Sequence, residues 1–302
     1  MEDLIVKEIL EIFQKFRMAP TPLDQYDSIG KTILSDKMKP FISANKPIDF
    51  VILGFPMKSP NNRDKVLGTL PDLAEEVTFK NFSLFNKQIQ SIYSPGINIS
   101  VVSDGYVFND IMEVTDRTVA EYEEVSKEMA KNSPISWFKL SDFYSEQSSL
   151  KTMREKVISQ FGISNEELDR RILMDPDVNF LYRGMIKFLT LDLAIKNFPS
   201  NTQLQKQAKM VAREMMFRNE AYSKLVQNEF KTHIRLSMHP SINNGTKYSF
   251  QLIPSTKAWT SPWHCALLID KGEYVTIHRK DAEKEGFELM FLNGRPYCFI
   301  NA

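Results

Sequence analysis

The sequence predicts an α/β fold, a Rossmann-like mixed sheet with flanking helices, a helical insertion and a C-terminal antiparallel β portion. Two apolar runs, at residues 50–55 and 97–103, have the length and β-branched composition of strands buried on both faces. A helical pattern at 71–93 separates them, which predicts a right-handed, parallel strand–helix–strand unit. Residues 150–231 are almost wholly helical in pattern, and alternating strand patterns follow from residue 233 onward.

The composition is that of an ordinary globular protein and argues against several functions. The 38 basic and 38 acidic residues cancel, so charge gives no reason to expect nucleic acid or an anionic membrane as a partner. No apolar run approaches the ~20 residues of a membrane span, and no secretory signal is recognisable at the N-terminus. Cys265 and Cys298 are too few for a disulfide framework and lack metal-site spacing. We therefore expect reduced thiols and a cytoplasmic protein.

The N-terminal segment, residues 1–45, is predicted to be helical and to precede an α/β domain at 46–302. Apolar residues recur at helical spacing in its first helix, namely Leu4, Ile5, Ile9, Ile12, Phe13 and Phe16. This face is expected to pack on the domain or on a partner, and a homodimer is one interpretation. A second helix is expected at about 23–36.

The first strand, expected at 48–55, ends in a polar loop that contains Lys58 and Ser59. Ligands bind beyond the carboxyl ends of parallel strands, so we expect these side chains at a ligand-binding edge. Ammonium, hydroxyl and backbone N–H groups can hold an anion there, whereas the alternative is an exposed loop. Arg63 and Lys65, further along, are expected to be solvated. The second strand ends at the same edge in Asp104, which either orients a base or forms an Asx turn.

Helices and a short strand follow this unit. Thr115-Asp116 can cap a helix to about Lys131, and residues 136–140 predict a third strand. The helical block at 150–231 is expected to form a cap over the sheet edge. Arg183 lies among apolar residues of this block, where a structural ion pair is the simpler interpretation.

Residues 233–239 and 247–253 alternate apolar and polar side chains, which predicts an antiparallel hairpin with one polar face. That face has no carboxylate and carries mainly basic or hydrogen-bonding groups: His233, Arg235, Ser237, His239, Lys247, Ser249 and Gln251. Such a face suits an anionic substrate, although an ordinary solvated face is the alternative. Further antiparallel strands are expected at 265–269, 273–278 and 287–300.

His264 stands at the start of one of these strands. If that strand runs antiparallel to the first two, His264 lies at the edge where they end, near Lys58 and Asp104. A histidine there could transfer protons near neutral pH, which is typically worth ~100- to 10,000-fold in rate. The alternative is a core histidine. The sequence contains no dinucleotide fingerprint, P-loop, nucleophile elbow or zinc spacing.

Five segments together resemble the pyoverdine/dityrosine biosynthesis family, whose bacterial members are isonitrile synthases. They are DFVILGFPMKSPN, LGTLPDLAEE, YSPGINISVVSDGYVFND, IRLSMHP and TSPWHCALLI, in order from about residue 46 to 270. The chain departs from the family at Met57, where many relatives have Cys, and at Cys265, where a small residue is more usual. Met57 makes a catalytic thiol in that loop untenable.

The resemblance implies a Rossmann-like core and a reaction without metal or organic cofactor. Such enzymes convert the α-amino group of an amino acid, commonly tyrosine or tryptophan, into an isonitrile whose carbon comes from the carbonyl of ribulose 5-phosphate. An Fe/2-oxoglutarate oxygenase is expected to be the pathway partner that acts on the product. On this basis we expect His239 and His264 to be the general acid/base pair and Asp104 to orient one of them or protonate an oxygen.

The reaction that the resemblance implies also needs a phosphate cradle and a carboxylate clamp, and the basic residues singled out above fit those needs. We expect Lys58, Ser59 and Lys247 to hold the phosphate, and Arg235 or Arg183 to hold the amino-acid carboxylate. The aromatic residues Phe55, Trp259 and Trp263 are candidates to line an aromatic pocket, or simply belong to the core or rim. Two alternative functions remain open at this point, a related N-formyl or acyl transferase and a non-catalytic binding protein on the same fold.

Overall fold

In a computed structural model, which describes residues 2–145, 148–196, 198–255 and 261–301, the chain is built around a parallel five-stranded sheet. The strands are β1 (Ile48–Gly54), β2 (Ile97–Ser103), β3 (Ile135–Phe138), β4 (Ile234–Ser237) and β5 (Tyr248–Ser249). Their order is β3-β2-β1-β4-β5, and each neighbouring pair is parallel. Because these pairs are parallel, the carboxyl ends of β1, β2 and β4 lie at one edge, and the strand order reverses between β1 and β4, where such sheets bind ligands. The predicted Rossmann-like fold class is confirmed.

Helices account for most of the remaining described chain. The N-terminal pair is α1 (Glu2–Phe16) and α2 (Lys31–Ser43), and α3 (Leu73–Gln90), α4 (Gly105–Phe108) and α5 (Asp116–Ala130) accompany the first strands. The block predicted at 150–231 consists of α6 (Leu150–Phe161), α7 (Asn165–Met174), α8 (Pro176–Leu193) and α9 (Asn201–Glu229). A last short helix is α10 (Arg279–Glu285). No helix in the described ranges is both long and apolar enough to cross a membrane.

Helices α1 and α3 cover one face of the sheet. Phe13 of α1 stacks on Phe50 of β1 with ring centroids 6.5 Å apart, and Phe85 of α3 lies 5.7 Å from the same ring. The apolar side of α1 is therefore buried within the chain. Of the two alternatives for this helix, packing on the domain is correct, so its apolar face gives no argument for a homodimer.

Helix α9 approaches the opposite face. Arg235 pairs laterally with Val51, one residue beyond the Phe50–Ile234 pair, so it points away from α1 and α3. Its guanidinium Nη1 donates a 3.1 Å hydrogen bond to the carbonyl oxygen of Ser223 in α9. The predicted antiparallel hairpin is wrong, because β4 and β5 pair in parallel. The polar face predicted for the hairpin is, at Arg235, a face of the sheet against which α9 packs.

A second, smaller sheet is formed by β6 (Ala266–Asp270), β7 (Glu273–Ile277), β8 (Glu288–Leu292) and β9 (Arg295–Ile300), in the order β7-β6-β9-β8. Its two hairpins are antiparallel, as predicted, but a parallel β6–β9 pair joins them. Leu267 and Cys298 pack against Leu73 and Val77 at the start of α3. This contact docks the second sheet beside the carboxyl edge of the first.

Candidate active site

The carboxyl edge of the parallel sheet begins where β1 ends. Phe55 has a left-handed backbone with φ of 57°, which is costly for a bulky residue, and its carbonyl accepts a 3.1 Å hydrogen bond from the Ser103 hydroxyl at the end of β2. The Trp263 ring lies 5.1 Å from the Phe55 ring, and a Cβ on Gly54 would be 2.9 Å from Trp263 Cη2. The turn that carries His264 therefore sits directly on this edge.

His264 ends the short turn Pro262–His264 before β6, a strand of the second sheet. The Ser261 hydroxyl lies 2.9 Å from Nδ1 of the imidazole, and the Phe188 ring of α8 is 4.7 Å from the imidazole centroid. Burial, reinforced by the charges of Lys65, His239 and His278, lowers the pKa of His264 to about 3. The imidazole is neutral at physiological pH.

His239 lies just beyond the end of β4. Its backbone N–H donates a 3.2 Å hydrogen bond to the Ser237 hydroxyl, which in turn donates to the His239 carbonyl at 3.0 Å. Burial and the charge of Lys247 lower the pKa of His239 to about 4. Since His239 also contributes to the lowered pKa of His264, the structure brings together the two histidines singled out from the sequence.

A buried pair beside His264 was not predicted from the sequence. Lys65 was expected to be solvated, but it is buried, and its Nζ lies 3.2 Å from Oδ1 of Asp192 in α8. The same Nζ lies 4.9 Å from the centroid of the Phe188 ring, the ring that contacts His264. The one available signal was a carboxylate inside an apolar helical run, FLTLDL, four residues after Phe188. Arg63 is exposed, as expected.

Lys58 is not placed to bind phosphate. Its side chain has no exposed surface, and its Nζ lies 2.6 Å from Asp72 and 2.8 Å from Glu75. Two carboxylates therefore already compensate the ammonium, which contradicts the predicted anion-binding role. Ser59 is buried, and its hydroxyl accepts a 3.3 Å hydrogen bond from the backbone N–H of Asn61, which shapes the loop.

Asp104 follows β2 and precedes α4 without capping that helix. It is buried, its Oδ1 has no hydrogen-bond partner in the described part of the chain, and burial raises its pKa to about 7. Burial, followed by the charge of Asp104, raises the pKa of Tyr222, whose hydroxyl donates to the Ser103 carbonyl at 3.0 Å. Within the described ranges neither a hydrogen bond nor an ion pair joins Asp104 to His264, so the structure leaves its predicted orienting role without a contact.

The remaining predicted residues divide by position. Arg235 faces α9 midway along β4, away from the carboxyl edge, and burial lowers its pKa to about 10. Arg183 is exposed on α8. Lys247 is exposed and close enough to His239 to lower its pKa. Trp259 lies outside the described residues. Neither arginine therefore contacts the two histidines through a described hydrogen bond, whereas Lys247 stands beside one of them.

Comparisons with known proteins agree with this architecture. A family model described as pyoverdine/dityrosine biosynthesis protein matches residues 38–290. The chain is 32% identical over 268 residues to an L-tryptophan isonitrile synthase of Fischerella ambigua, covering 87% of this chain and 81% of that one. It is 30% identical over 302 residues to an L-tyrosine isonitrile synthase of Pseudomonas aeruginosa, covering 97% and 92%. The crystal structure of the PvcA protein from Pseudomonas aeruginosa superposes with a TM-score of 0.92 at 28% identity, over 99% of this chain and 100% of that one.

Proposed function

The chain belongs to the pyoverdine/dityrosine biosynthesis family, and from this premise we propose that it converts the α-amino group of L-tyrosine or L-tryptophan into an isonitrile, with the carbonyl carbon of ribulose 5-phosphate as the added carbon. The relatives that it matches over most of their length are isonitrile synthases, and the chain is an enzyme of that class. The identity of the amino acid and of the carbon donor is what we propose beyond this.

The observation that carries the proposal is the pair of neutral imidazoles at the carboxyl edge. An amine attacks a ketone only as the free base, so the reaction begins with removal of a proton from the substrate ammonium. His239 and His264 have pKa values lowered to about 4 and about 3, which leaves both imidazoles uncharged at neutral pH. Each then has an unprotonated ring nitrogen that can accept a hydrogen bond from the substrate ammonium and relay its proton to solvent. The Ser261 hydroxyl at 2.9 Å fixes the orientation of the second imidazole.

Aromatic side chains around His264 support an aromatic substrate. Phe188 contacts the imidazole at 4.7 Å and is partly exposed, whereas Trp263 and Phe55 are buried behind the edge. An aromatic ring of the substrate can pack on Phe188 in an offset or edge-to-face arrangement. Lys247, exposed beside His239, is the basic residue that we propose for the phosphate. We further propose that an Fe/2-oxoglutarate oxygenase consumes the product.

The test is mass spectrometry of the purified protein incubated with the twenty amino acids and ribulose 5-phosphate labelled with ¹³C at the carbonyl carbon. The expected product is the amino acid plus one labelled carbon and less two hydrogens, formed from tyrosine or tryptophan. The His239→Gln variant is expected to lose ~100-fold or more of the rate, with Ser91→Ala, an exposed substitution at the end of α3, as the control.

Three outcomes would contradict parts of this proposal. An unlabelled isonitrile would overturn ribulose 5-phosphate as the carbon donor. A product heavier by a formyl or acyl group would instead indicate a transferase. A folded protein that changes no amino acid, but is stabilised by one, would indicate a binding protein.

A further inference from the structure

The pair formed by Lys65 and Asp192 differs from an ordinary buried ion pair. Only one carboxylate oxygen contacts the ammonium, at 3.2 Å, and the other, Oδ2, is buried without a hydrogen-bond partner among the described residues. The buried Lys58, by contrast, lies between two carboxylates at 2.6 and 2.8 Å, although its Nζ and Oδ2 of Asp72 also lack a hydrogen bond among the described residues. Two carboxylates compensate the charge of Lys58 and only one compensates that of Lys65, so a purely structural ion pair explains Lys58 better than it explains Lys65.

Hydrogen bonds of its backbone N–H and carbonyl groups fix the position of Lys65. The Lys65 backbone N–H donates to the Asn62 carbonyl at 3.1 Å, and its carbonyl accepts a 3.2 Å hydrogen bond from Arg279 at the start of α10. The Phe188 ring then lies 4.9 Å from Nζ and 4.7 Å from the His264 ring. Lys65 and His264 thus share one aromatic neighbour, and the ammonium is held at the wall of the candidate site.

The proposed chemistry needs a proton donor as well as a base. After the amine adds to the ketone, the resulting carbinolamine must lose its hydroxyl as water, which requires a proton from an acid. His239 and His264 are uncharged at neutral pH, so neither holds the extra proton that an acid must donate in this step. An ammonium beside His264 supplies what they lack.

We propose that Lys65 is the general acid of this dehydration and that Asp192 positions it, an inference that rests on the proposed function. In this step Lys65 Nζ gives a proton to the hydroxyl, the C–O bond breaks, and water leaves. The nitrogen lone pair forms the C=N bond, and the proton of the iminium nitrogen leaves by way of the His264 imidazole, which passes it on to solvent. Lys65, now a neutral amine, regains a proton from solvent.

The surroundings of Lys65 suit proton exchange. Burial lowers the pKa of Lys65, and burial also raises the pKa of Asp192 to about 6. Other charged or titratable groups close to the ammonium are His264 before β6, His278 and Lys280 at α10, and Asp64 in the preceding loop. Among these described neighbours only Asp64 adds a negative charge, so Asp192 is the main group that keeps the ammonium protonated.

The experiment measures kcat, KM and their pH dependence for isonitrile formation by the wild type, Lys65→Arg, Lys65→Ala and Asp192→Asn. Arginine keeps the positive charge but hardly releases a proton. We therefore expect Lys65→Arg to lower kcat ~100-fold with little change in KM. Lys65→Ala is expected to lose as much and to regain part of the rate when ethylammonium is added. Asp192→Asn removes the charge that stabilises the ammonium, so the activity should decline on the basic side at a lower pH.

Lys196→Met is the matched control, because Lys196 pairs with Glu113 at 2.6 Å just after α8 but remains partly exposed. It is expected to leave kcat unchanged. A Lys65→Arg variant with kcat within about threefold of the wild type would overturn the role of Lys65. So would a Lys65→Ala variant that stays folded and is not rescued by the amine. A wild-type protein that makes no isonitrile would overturn the proposed function, whereas an active wild type with an equally active Lys65→Arg variant would overturn only the role of Lys65.

Discussion

The Nζ atom of Lys58 lies 2.6 Å from Oδ2 of Asp72, with the two side chains 0% and 2% exposed. Glu75 lies 2.8 Å from the same ammonium, and the Tyr122 hydroxyl donates to the other oxygen of Glu75 at 3.0 Å. Asp72 and Glu75 also form the capping box of α3. The cluster therefore ties the loop after β1 to α3 and α5, and it fixes the chain that leads to Lys65.

Removal of the positive charge from this cluster should destabilise the protein severely. Lys58→Met leaves two carboxylates facing each other without compensation, and breaking one partner of a buried pair costs about 3–5 kcal/mol. Urea unfolding monitored by tryptophan fluorescence measures the change in the free energy of unfolding. The control is Lys80→Met, whose ion pair with Glu76 is exposed and should contribute less than ~1 kcal/mol. Equal effects of the two substitutions would show that the cluster is not what stabilises the loop.

Ser261 should matter through the orientation of His264. Its hydroxyl lies 2.9 Å from Nδ1, and a hydrogen bond of this kind contributes about 1 kcal/mol, or roughly a fivefold factor in rate. Ser261→Ala is therefore expected to lower kcat for isonitrile formation roughly fivefold with KM unchanged, and Ser261→Thr to retain activity. If alanine and threonine behaved alike, the hydroxyl would have no part in setting the tautomer.

The two histidines should make folding less favourable in acid. A histidine whose pKa is lowered by burial is neutral in the folded protein and charged in the unfolded chain, so stability is lost as the pH falls below about 6.5 toward the folded values of about 4 and about 3. The raised pKa values of Asp104 and Asp192 act in the opposite direction. The contribution of each histidine is therefore isolated by comparing the pH dependence of stability between the wild type and a variant that lacks that histidine.

The measurement for this prediction is the free energy of unfolding between pH 7 and pH 5 for the wild type and for His239→Gln and His264→Gln. Each variant should lose less stability over this range than the wild type, since one proton-binding difference has been removed. Parallel curves for all three proteins would mean that neither imidazole is desolvated in the folded state.

Much of the sheet was predictable, because buried parallel strands and capped helices leave local signals. The runs that became β1 and β2, and the Thr115 cap of α5, involve neighbouring residues only. The β4–β5 segment was not predictable in the same way. Two alternating stretches separated by turn residues predict a hairpin. In the structure the intervening loop at 241–245 packs against α2 and the connection between α1 and α2. The chain therefore returns in the same direction, and β5 pairs with β4 in parallel.

The site was predictable only in part, for a related reason. His239 follows β4 and His264 precedes β6, and the position of a strand end is known once the arrangement of the sheet is known. Lys58 and Lys65 stand seven residues apart in one polar loop, and nothing local indicates that one would be neutralised by the start of α3 and the other by Asp192 of α8. Charge compensation between residues that are distant in sequence depends on the packing of helices, which the local pattern does not contain.

Gly105 should be indispensable where β2 passes into α4. A Cβ at this position would lie 2.2 Å from the carbonyl oxygen of Pro56 and 2.8 Å from Val119 Cγ1, and the first of these atoms is backbone that cannot rotate away. Gly105→Ala must separate the loop after β1 from the loop after β2, at a cost of about 3 kcal/mol as for other overpacked sites. Gly68→Ala is the matched control, because a methyl group there would have nothing within 4 Å. We expect urea unfolding to show a large loss of stability for Gly105→Ala alone, together with reduced isonitrile formation because the loops at the carboxyl edge are pushed apart. Equal stability of the two variants would contradict the close approach of these loops.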